Sequence, residues 1–298
     1  MSSRPSSRRD RSPGGILAGL RRLRHGRLKP LDPAWRLLGR LYRQTRRSLG
    51  LGGSAAHFIG RHGPFLLDAD FAFSDFTTWG TGHNRGFEKC VEACRGKHCV
   101  LDVGAHIGLL SLPVSRVLAP GGTVFAFEPA VGNLAYLRQH LAANGIANVE
   151  IVDCLVGAKD DPRARFHERP GASGMNSVVA RTKDAHAYRV TTKPQITLDR
   201  FCGARNLHPE VIKIDVEGAE LMVLEGAAAT LSRARPMIFL SLHPGELATL
   251  GQTLEDVQRL VRSLGYRLLD MDGRPARSFR LDEYLMVRDE AAAATAPG

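Results

Sequence analysis

The chain has 298 residues, of which 43% are hydrophobic and 24% charged, as expected for a globular protein of one or two domains. No stretch approaches the ~18 uninterrupted apolar residues of a transmembrane helix, and no apolar segment with a cleavage site follows the basic N-terminus, so no secretory signal is predicted. Five cysteines, an odd and sparse set, favour buried free thiols in a reducing compartment. We therefore predict a cytoplasmic protein, with peripheral membrane attachment as an option.

The formal net charge of +11 comes from residues 1–50, which hold 14 of the 41 Lys and Arg but only two of the 30 acids. Residues 1–14 are predicted to be disordered. From Ile16 to Leu49, apolar residues recur at helical spacing and predict two helices separated by Pro30 and Pro33. This basic arm suits an anionic membrane surface, an acidic partner or nucleic acid, and equally suits a solvated arm packed on its own domain.

Residues 51–97 are predicted to form a lid or substrate region. Alternating apolar and polar residues over 57–76 predict short strands, and 85–94 predict a helix. His83, Asn84 and Glu88 precede the core sheet and are candidates for contacts with a substrate.

Residues 98–290 alternate strand and helix patterns, which predicts an α/β domain with a parallel sheet covered on both faces. The tail contains two apolar runs around "DGRP", which predict an antiparallel hairpin at the edge of the sheet. The polar segment 158–200 predicts an excursion with short strands over an active site. The predicted strands are 99–103, 123–127, 149–152, 211–216 and 237–242, and the predicted helices are 107–118, 131–143, 218–231 and 254–264.

A ligand pocket is predicted after the first strand of this domain, in "VLDVGAHIGLL". Asp102 ends the strand, and Gly104 and Gly108 allow close approach of the backbone to a ligand at which the next helix directs its N–H groups. His106 stands where the dinucleotide motif needs glycine, which disfavours NAD and FAD. Glu128 ends the second strand and can accept both hydroxyls of a ribose, but this acid alone fits NAD and S-adenosylmethionine equally.

Five segments resemble the FkbM-type methyltransferases, in their order and spacing. They are "VLDVGAHIG", "GGTVFAFEPAVGNLAYLRQHLAANGIANVEIV", "ITLDRF", "VIKIDVEGAELMVLEGAAATL" and "RPMIFLSLHP", and they cover roughly residues 98–245. The resemblance implies a class I, Rossmann-like sheet of seven strands, the last antiparallel, and S-adenosyl-L-methionine as cofactor. It also implies that Asp102, Gly104 and Gly108 form the methionine side, with His106 a polar turn residue nearby. Glu128 would hold the ribose, and Asp153 or Leu155 would border the adenine.

The reaction side is predicted at the ends of the fourth and fifth strands. In "VIKIDVEGAE", strand alternation puts Lys213 and Asp215 on one face. Glu217 opens the next helix, while Glu220 is interpreted as complementing the helix dipole. His243 should neighbour Asp215 and, with a pKa near ~6.5, could take the proton of a hydroxyl.

The residue two positions before His243 is Ser241, where the family usually has an acid. This departure weakens any model that needs a carboxylate there. Asp215, Glu217 and His243 could together hold a divalent cation, but the pattern does not assign a metal site.

We therefore predict an S-adenosylmethionine-dependent O-methyltransferase for a hydroxyl of a saccharide or secondary metabolite. Asp215 and His243 are the acid–base candidates, supported by Lys213 and Glu217. A nucleic-acid base is an unlikely acceptor, because "IDVEG" lacks the prolines and the aromatic residue of base-stacking turns. The alternatives are an RNA or protein methyltransferase guided by the basic arm, a non-catalytic scaffold that binds the cofactor and, less favoured, a nicotinamide dehydrogenase.

Overall fold

The computed structural model describes residues 32–179, 185–277 and 280–289, and the chain divides into two compact units, residues 1–77 and 78–298. The first unit contains helix α1 (Asp32–Ser48) and the antiparallel strands β1 (Ser54–Ile59) and β2 (His62–Asp68). The second helix of the basic arm and the short strands are thereby confirmed. The predicted disorder of 1–14 and the first arm helix lie outside the described residues.

Helix α1 packs on its own unit through one face. The ring of Tyr42 meets Phe73 edge-on, with centroids 5.1 Å apart, and Arg46 donates to Asp68 and Asp70. Leu37 and Leu41 on this helix remain exposed. Among the described residues, no helix is both long and apolar enough to cross a bilayer.

The second unit is built on a seven-stranded sheet. Its strands are β3 (Cys99–Val103), β4 (Thr123–Phe127), β5 (Val149–Val152), β9 (Val211–Ile214), β10 (Met237–Leu242), β11 (Tyr266–Leu269) and β12 (Asp282–Arg288). They lie in the order β11-β12-β10-β9-β3-β4-β5. Six strands run in one direction, and β12 is antiparallel to both of its neighbours, as the predicted topology requires.

Helices and a small second sheet surround this core. All five cysteines are buried and free, as predicted. The helices are α2 (Phe87–Ala93), α3 (Ser111–Ser115), α4 (Val131–Ala143), α5 (Leu198–Arg205), α6 (Glu220–Glu225), α7 (Ala228–Ala234), α8 (Pro244–Thr249) and α9 (Leu254–Ser263). The remaining strands, β6 (Leu155–Val156), β7 (Asp161–Glu168) and β8 (Arg189–Ile196), pair in the order β6-β8-β7.

The chain reverses its direction across the sheet at β3. It proceeds from β3 through β4 to the edge strand β5, and then returns to pair β9 with the other side of β3. Open parallel sheets bind ligands outside the carboxyl ends of strands at such a switch point. The residues after β3, β4 and β9 are therefore the ones that the fold brings together.

Two predicted helices are shorter than their apolar patterns. The helix predicted over 107–118 is formed only by α3, because the loop before it takes left-handed backbone conformations at His106 (φ 52°) and Gly108 (φ 92°). The helix predicted over 218–231 is divided into α6 and α7 at Gly226, where a Cβ would lie 2.1 Å from the carbonyl oxygen of Gly157.

The polar excursion crosses the start of α4. A Cβ on Gly132 would lie 2.1 Å from the carbonyl oxygen of Gly171, so the two backbones touch. Asn133 fixes the same segment, because its amide accepts from Ser173 N and donates to Ser173 O. The segment that precedes residue 180 is thus held against α4.

We expect Gly132→Ala to lower the free energy of unfolding by about 1–3 kcal/mol, because the added methyl group has no space. The matched control is Gly203→Ala in α5, where a Cβ meets nothing within 4 Å. That substitution should raise the free energy of unfolding by about 0.5–1 kcal/mol. Urea denaturation measures both changes, and equal effects would contradict the close approach.

Candidate active site

Two cavities lie side by side at the carboxyl ends of the central strands. The first, of about 60 Å³, extends over β4 and β5 beneath the polar excursion. The second, of about 190 Å³, extends over β9 and β10. The residues that line both cavities are Gly104, His106, Gly174, Asp215 and Glu217.

Gly104 allows β3 and β9 to meet at this junction. Its φ is +90°, and a Cβ there would lie 1.9 Å from the carbonyl oxygen of Asp215. The N–H groups of Gly104 and Ala105 both donate to the carbonyl oxygen of Phe127. These two N–H groups are therefore hydrogen-bonded to β4 and are not available to a ligand. Helix α3 begins too late in the chain to direct its own N–H groups at a ligand in this position.

Asp102, just before this loop, contacts Ser111, just after it. Its carboxyl group is buried, and Ser111 Oγ donates to its Oδ2 at 2.5 Å. Burial raises the pKa of Asp102 to about 6, although the Ser111 hydrogen bond opposes the shift. Asp102 lines the second cavity, on the side where the methionine part of the cofactor is expected.

Glu128 lies at the end of β4 and is also buried. Its Oε1 accepts from Ala130 N at 2.9 Å and from Asn133 Nδ2 at 3.1 Å, and its Oε2 accepts from His106 N at 2.8 Å. Burial raises the pKa of Glu128 to about 7, against the effect of these donors. An Oε2 lone pair is left for a ligand hydroxyl.

His106 contributes its backbone to Glu128 and its ring to the junction. Its Nε2 is buried and makes no hydrogen bond within the described part of the chain. Burial lowers the pKa of His106 to about 4, so the imidazole is neutral at pH 7. His106 therefore offers a polar, uncharged surface to both cavities.

The residues after β5 divide between the cavity and the surface. Leu155 lines the first cavity, together with Cys154. Asp153 lies outside that lining: its side chain is half exposed and pairs with Arg138 at 3.6 Å. Of the two residues expected beside an adenine, the structure brings only Leu155 to the cavity.

Lys213 forms the floor of the second cavity as a buried ammonium group. Its Nζ contacts Ser241 Oγ at 2.5 Å, Asp215 Oδ2 at 3.3 Å and Glu283 Oε1 at 3.3 Å. Burial opposes the charge, but Asp215 and Glu283 outweigh that cost and raise the pKa of Lys213. The pKa of Asp215 is lowered, because Lys213 and His243 outweigh the effect of its burial.

His243 is surrounded by three carboxyl groups. Its Nδ1 lies 2.7 Å from Glu220 Oε1, and its Nε2 lies 3.5 Å from Glu217 Oε1 and 3.7 Å from Asp215 Oδ1. Burial opposes protonation, but Glu217, Glu220 and Asp215 outweigh it and raise the pKa of His243 to about 11. His243 lies near Asp215, as predicted. Its pKa, however, is far above the value near neutrality that was expected.

Of the residues predicted to contact a substrate near α2, one lines the second cavity and another does not. Asn84 lines the second cavity, as does Trp79. Glu88 is not part of that lining, and its side chain lies against Gly80. The side chain of His83 lies outside the described residues.

The sequence patterns did not indicate the roles of Glu220 and Glu283. Glu220 accepts from Gly218 N and contacts His243, rather than only complementing a helix dipole. Glu283 pairs with Lys213 and accepts from Gly86 N at 2.7 Å. The available signal for Glu283 was the pair of acids in "LDEYLMV", at the start of an otherwise apolar strand.

The family model described as the methyltransferase FkbM domain matches residues 102–268, more than half of the chain. Methyltransferase 1 of Beauveria bassiana (strain ARSEF 2860) is 27% identical over 143 residues, which is 43% of this chain and 57% of the relative. Methyltransferase sdnD of Sordaria araneosa is 30% identical over 154 residues, 43% of this chain and 59% of the relative. The match thus spans less than two thirds of either relative.

Two solved structures are also similar. The FkbM methyltransferase of Methylobacillus flagellatus KT is 21% identical with a TM-score of 0.41, over 64% of this chain and 44% of that chain. SMU.1697c of Streptococcus mutans, in complex with SAH, is 12% identical with a TM-score of 0.40, over 68% and 93% of the two chains.

We expect Glu283→Ala to lower the free energy of unfolding by about 3 kcal/mol, because it removes one of the two carboxylates that pair with the buried ammonium group and leaves Gly86 N without its acceptor. Adding Lys213→Met should recover part of this loss. The control, Glu150→Ala, removes an exposed partner of Arg205 and should cost less than about 1 kcal/mol. Urea denaturation of the single and double variants measures these energies. Equal losses for Glu283→Ala and Glu150→Ala would contradict the buried pair.

Proposed function

This chain belongs to the FkbM methyltransferase family, and from that premise we propose that it methylates a hydroxyl group of a saccharide or secondary metabolite. The family match supports S-adenosyl-L-methionine as the source of the methyl group. The observation that supports the hydroxyl proposal is the junction of the two cavities, where Asp215 lines both. Transfer of a methyl group needs a donor and an acceptor aligned at one point, with a group that can take the acceptor's proton.

The first cavity suits the adenosyl part of the cofactor. Glu128 would accept a ribose hydroxyl, and Phe127 and Leu155 offer apolar surface for an adenine. The methionine part would extend past Gly104 towards Asp102, since both residues line the second cavity. The bound cofactor supplies an electrophilic methyl group on a sulfonium.

The second cavity suits the acceptor. Trp79 and Leu110 provide apolar lining, while Asn84 and Asp282 provide polar groups for neighbouring hydroxyls. This mixture of one aromatic ring with amide and carboxyl groups favours a polyhydroxylated acceptor.

Asp215 is the proton acceptor in this proposal. The hydroxyl becomes strongly acidic as its oxygen bonds to carbon, so a carboxylate with a low pKa is a sufficient base. His243 is protonated at neutral pH and therefore stabilises the negative charge around Asp215 instead of removing the proton. The ammonium group of Lys213 also stabilises the negative charge of Asp215.

Glu128→Gln should weaken binding of S-adenosylhomocysteine by about 10–100-fold, because a charge-assisted hydrogen bond contributes about 1.5–3 kcal/mol. The affinity of the wild type should also fall as the pH falls through about 7, because protonated Glu128 loses acceptor capacity. A smaller further loss is expected near pH 6, where Asp102 takes up a proton.

Isothermal calorimetry between pH 5.5 and 8 tests this expectation. Glu128→Gln should lose the transition near pH 7, whereas the control Glu150→Gln, on the exposed side of β5, should keep it. Wild-type protein that does not bind S-adenosylhomocysteine, or a Glu128→Gln variant with unchanged affinity, would contradict the placement of the ribose.

Asp215→Asn should lower kcat by at least about 100-fold, because the general base is lost. Its affinity for S-adenosylhomocysteine should change less than threefold. The matched control is Asp160→Asn, which removes an exposed partner of Arg200 and should retain activity.

The assay transfers a labelled methyl group to a panel of sugars, glycosides and hydroxylated metabolites, with RNA and protein as separate arms. Labelling of a hydroxyl compound supports the proposal. Labelling only of RNA or protein, lost when residues 1–50 are deleted, would favour the alternative that uses the basic arm. Cofactor binding without labelling in any arm would favour a non-catalytic scaffold.

A further inference from the structure

The end of the second cavity beside His243 carries an excess of carboxyl groups. Asp215, Glu217, Glu220 and Glu283 all lie within ion-pair distance of either Lys213 or His243. Within the described part of the chain, these four carboxyl groups pair with two basic side chains. Such an excess in a partly buried site calls for a further cation.

Three ligand atoms of this group converge on one point. His243 Nε2 lies 3.5 Å from Glu217 Oε1 and 3.7 Å from Asp215 Oδ1, and the three atoms lie within 4.8 Å of one another. Ions with metal–ligand bonds of about 2.1 Å hold neighbouring ligands about 3.0–3.4 Å apart. Small side-chain movements would therefore complete a three-ligand site that leaves positions open towards the cavity.

Glu220 orients the imidazole for such a site. It is fully buried, and its Oε1 contacts His243 Nδ1 at 2.7 Å. A carboxylate that accepts from one ring nitrogen leaves the other nitrogen's lone pair for a metal, which is the usual arrangement of histidine ligands. The Oε2 atom of Glu220 is buried and has no hydrogen-bond partner among the described residues, which adds to the demand for positive charge.

We infer that Asp215, Glu217 and His243 bind one divalent first-row transition-metal ion, with Glu220 as the positioning residue. The mixed set of two carboxylates and one imidazole fits Mn²⁺ or Zn²⁺ better than Mg²⁺, which prefers oxygen ligands. Lys213 does not block the site, because it contacts the other carboxylate oxygen of Asp215 and also pairs with Glu283.

The role of the ion deepens the proposed function and rests on it. A metal at this end of the acceptor cavity would bind the acceptor hydroxyl and lower its pKa. The hydroxyl oxygen then forms the bond to the methyl carbon, while the carbon–sulfur bond breaks and both of its electrons pass to the sulfur. The hydroxyl proton passes to Oδ2 of Asp215, and the products are a methyl ether and neutral S-adenosylhomocysteine.

The test is a titration of the EDTA-treated, dialysed full chain with Mn²⁺, with free Mn²⁺ measured by electron paramagnetic resonance. Because Nε2 of His243 carries a proton in the metal-free protein and the ion would displace that proton, the titration is run at pH 8.5, where fewer protons compete. We expect one Mn²⁺ per chain, displaced by Zn²⁺. Asp215→Asn, Glu217→Gln and His243→Gln should each weaken binding at least tenfold, and Glu220→Gln about 10–100-fold through the lost orientation.

The control Glu150→Gln, which changes a carboxylate outside the cluster, should stay within twofold of the wild type. Circular dichroism and calorimetry with S-adenosylhomocysteine show that each variant is folded and separate this inference from the proposed function. S-adenosylhomocysteine binding with no Mn²⁺ bound at 1 mM would overturn the metal site and leave the methyltransferase intact. Equal Mn²⁺ affinity in every variant would overturn it as well, since the ion would then lie elsewhere.

Discussion

The buried ammonium group of Lys213 is the interaction on which the candidate active site depends. A charge in the middle of an apolar strand is tolerated only when partners satisfy it, and these come from three neighbouring strands or their ends. Asp215 follows β9, Ser241 lies on β10 and Glu283 lies on β12. The same charge therefore fixes the register of the antiparallel strand against β10 and the position of Asp215 at the junction of the two cavities. Loss of the ammonium group would change the floor of the second cavity and the carboxylate above it together.

The distance from Lys213 also explains why three carboxyl groups of the site differ in their acidity. Asp215 contacts the ammonium group directly, and its pKa is lowered despite burial. Asp102 lies farther from the charge, so burial outweighs the attraction and its pKa rises to about 6. In the described part of the chain Glu128 accepts from neutral donors, and burial raises its pKa to about 7. The site thus runs from a strongly charged end, suited to proton transfer, to a weakly charged end, suited to the hydroxyls and rings of a nucleoside.

The sequence predicted what local patterns determine. Apolar runs bounded by turns predicted the limits of β3, β4, β5 and β10, and the carboxyl ends of β3, β4, β9 and β10 located Asp102, Glu128, Asp215 and His243. The length of helix α3 was overestimated from the sequence, because the loop before it is held by contacts with a different strand. These contacts keep residues 104–110 out of the helix. Glu220 and Glu283 could not be assigned, because their partners are 23 and 70 positions away in the chain. A charged residue near a helix start or on a strand looks the same whether it faces solvent or a buried base.

Ser241 stands at a position where an acid is expected, but the site still contains a carboxyl group beside Lys213. The family usually carries an acid there, and its absence favours a scaffold without catalytic function. In the structure, Ser241 pairs in register with Glu283 on the adjacent antiparallel strand, and both side chains reach Lys213. Glu283 therefore supplies the ammonium group with a buried counter-charge from the neighbouring strand. What the site requires is negative charge beside Lys213, and two adjacent strands can supply it, so Ser241 alone does not argue for an inactive protein.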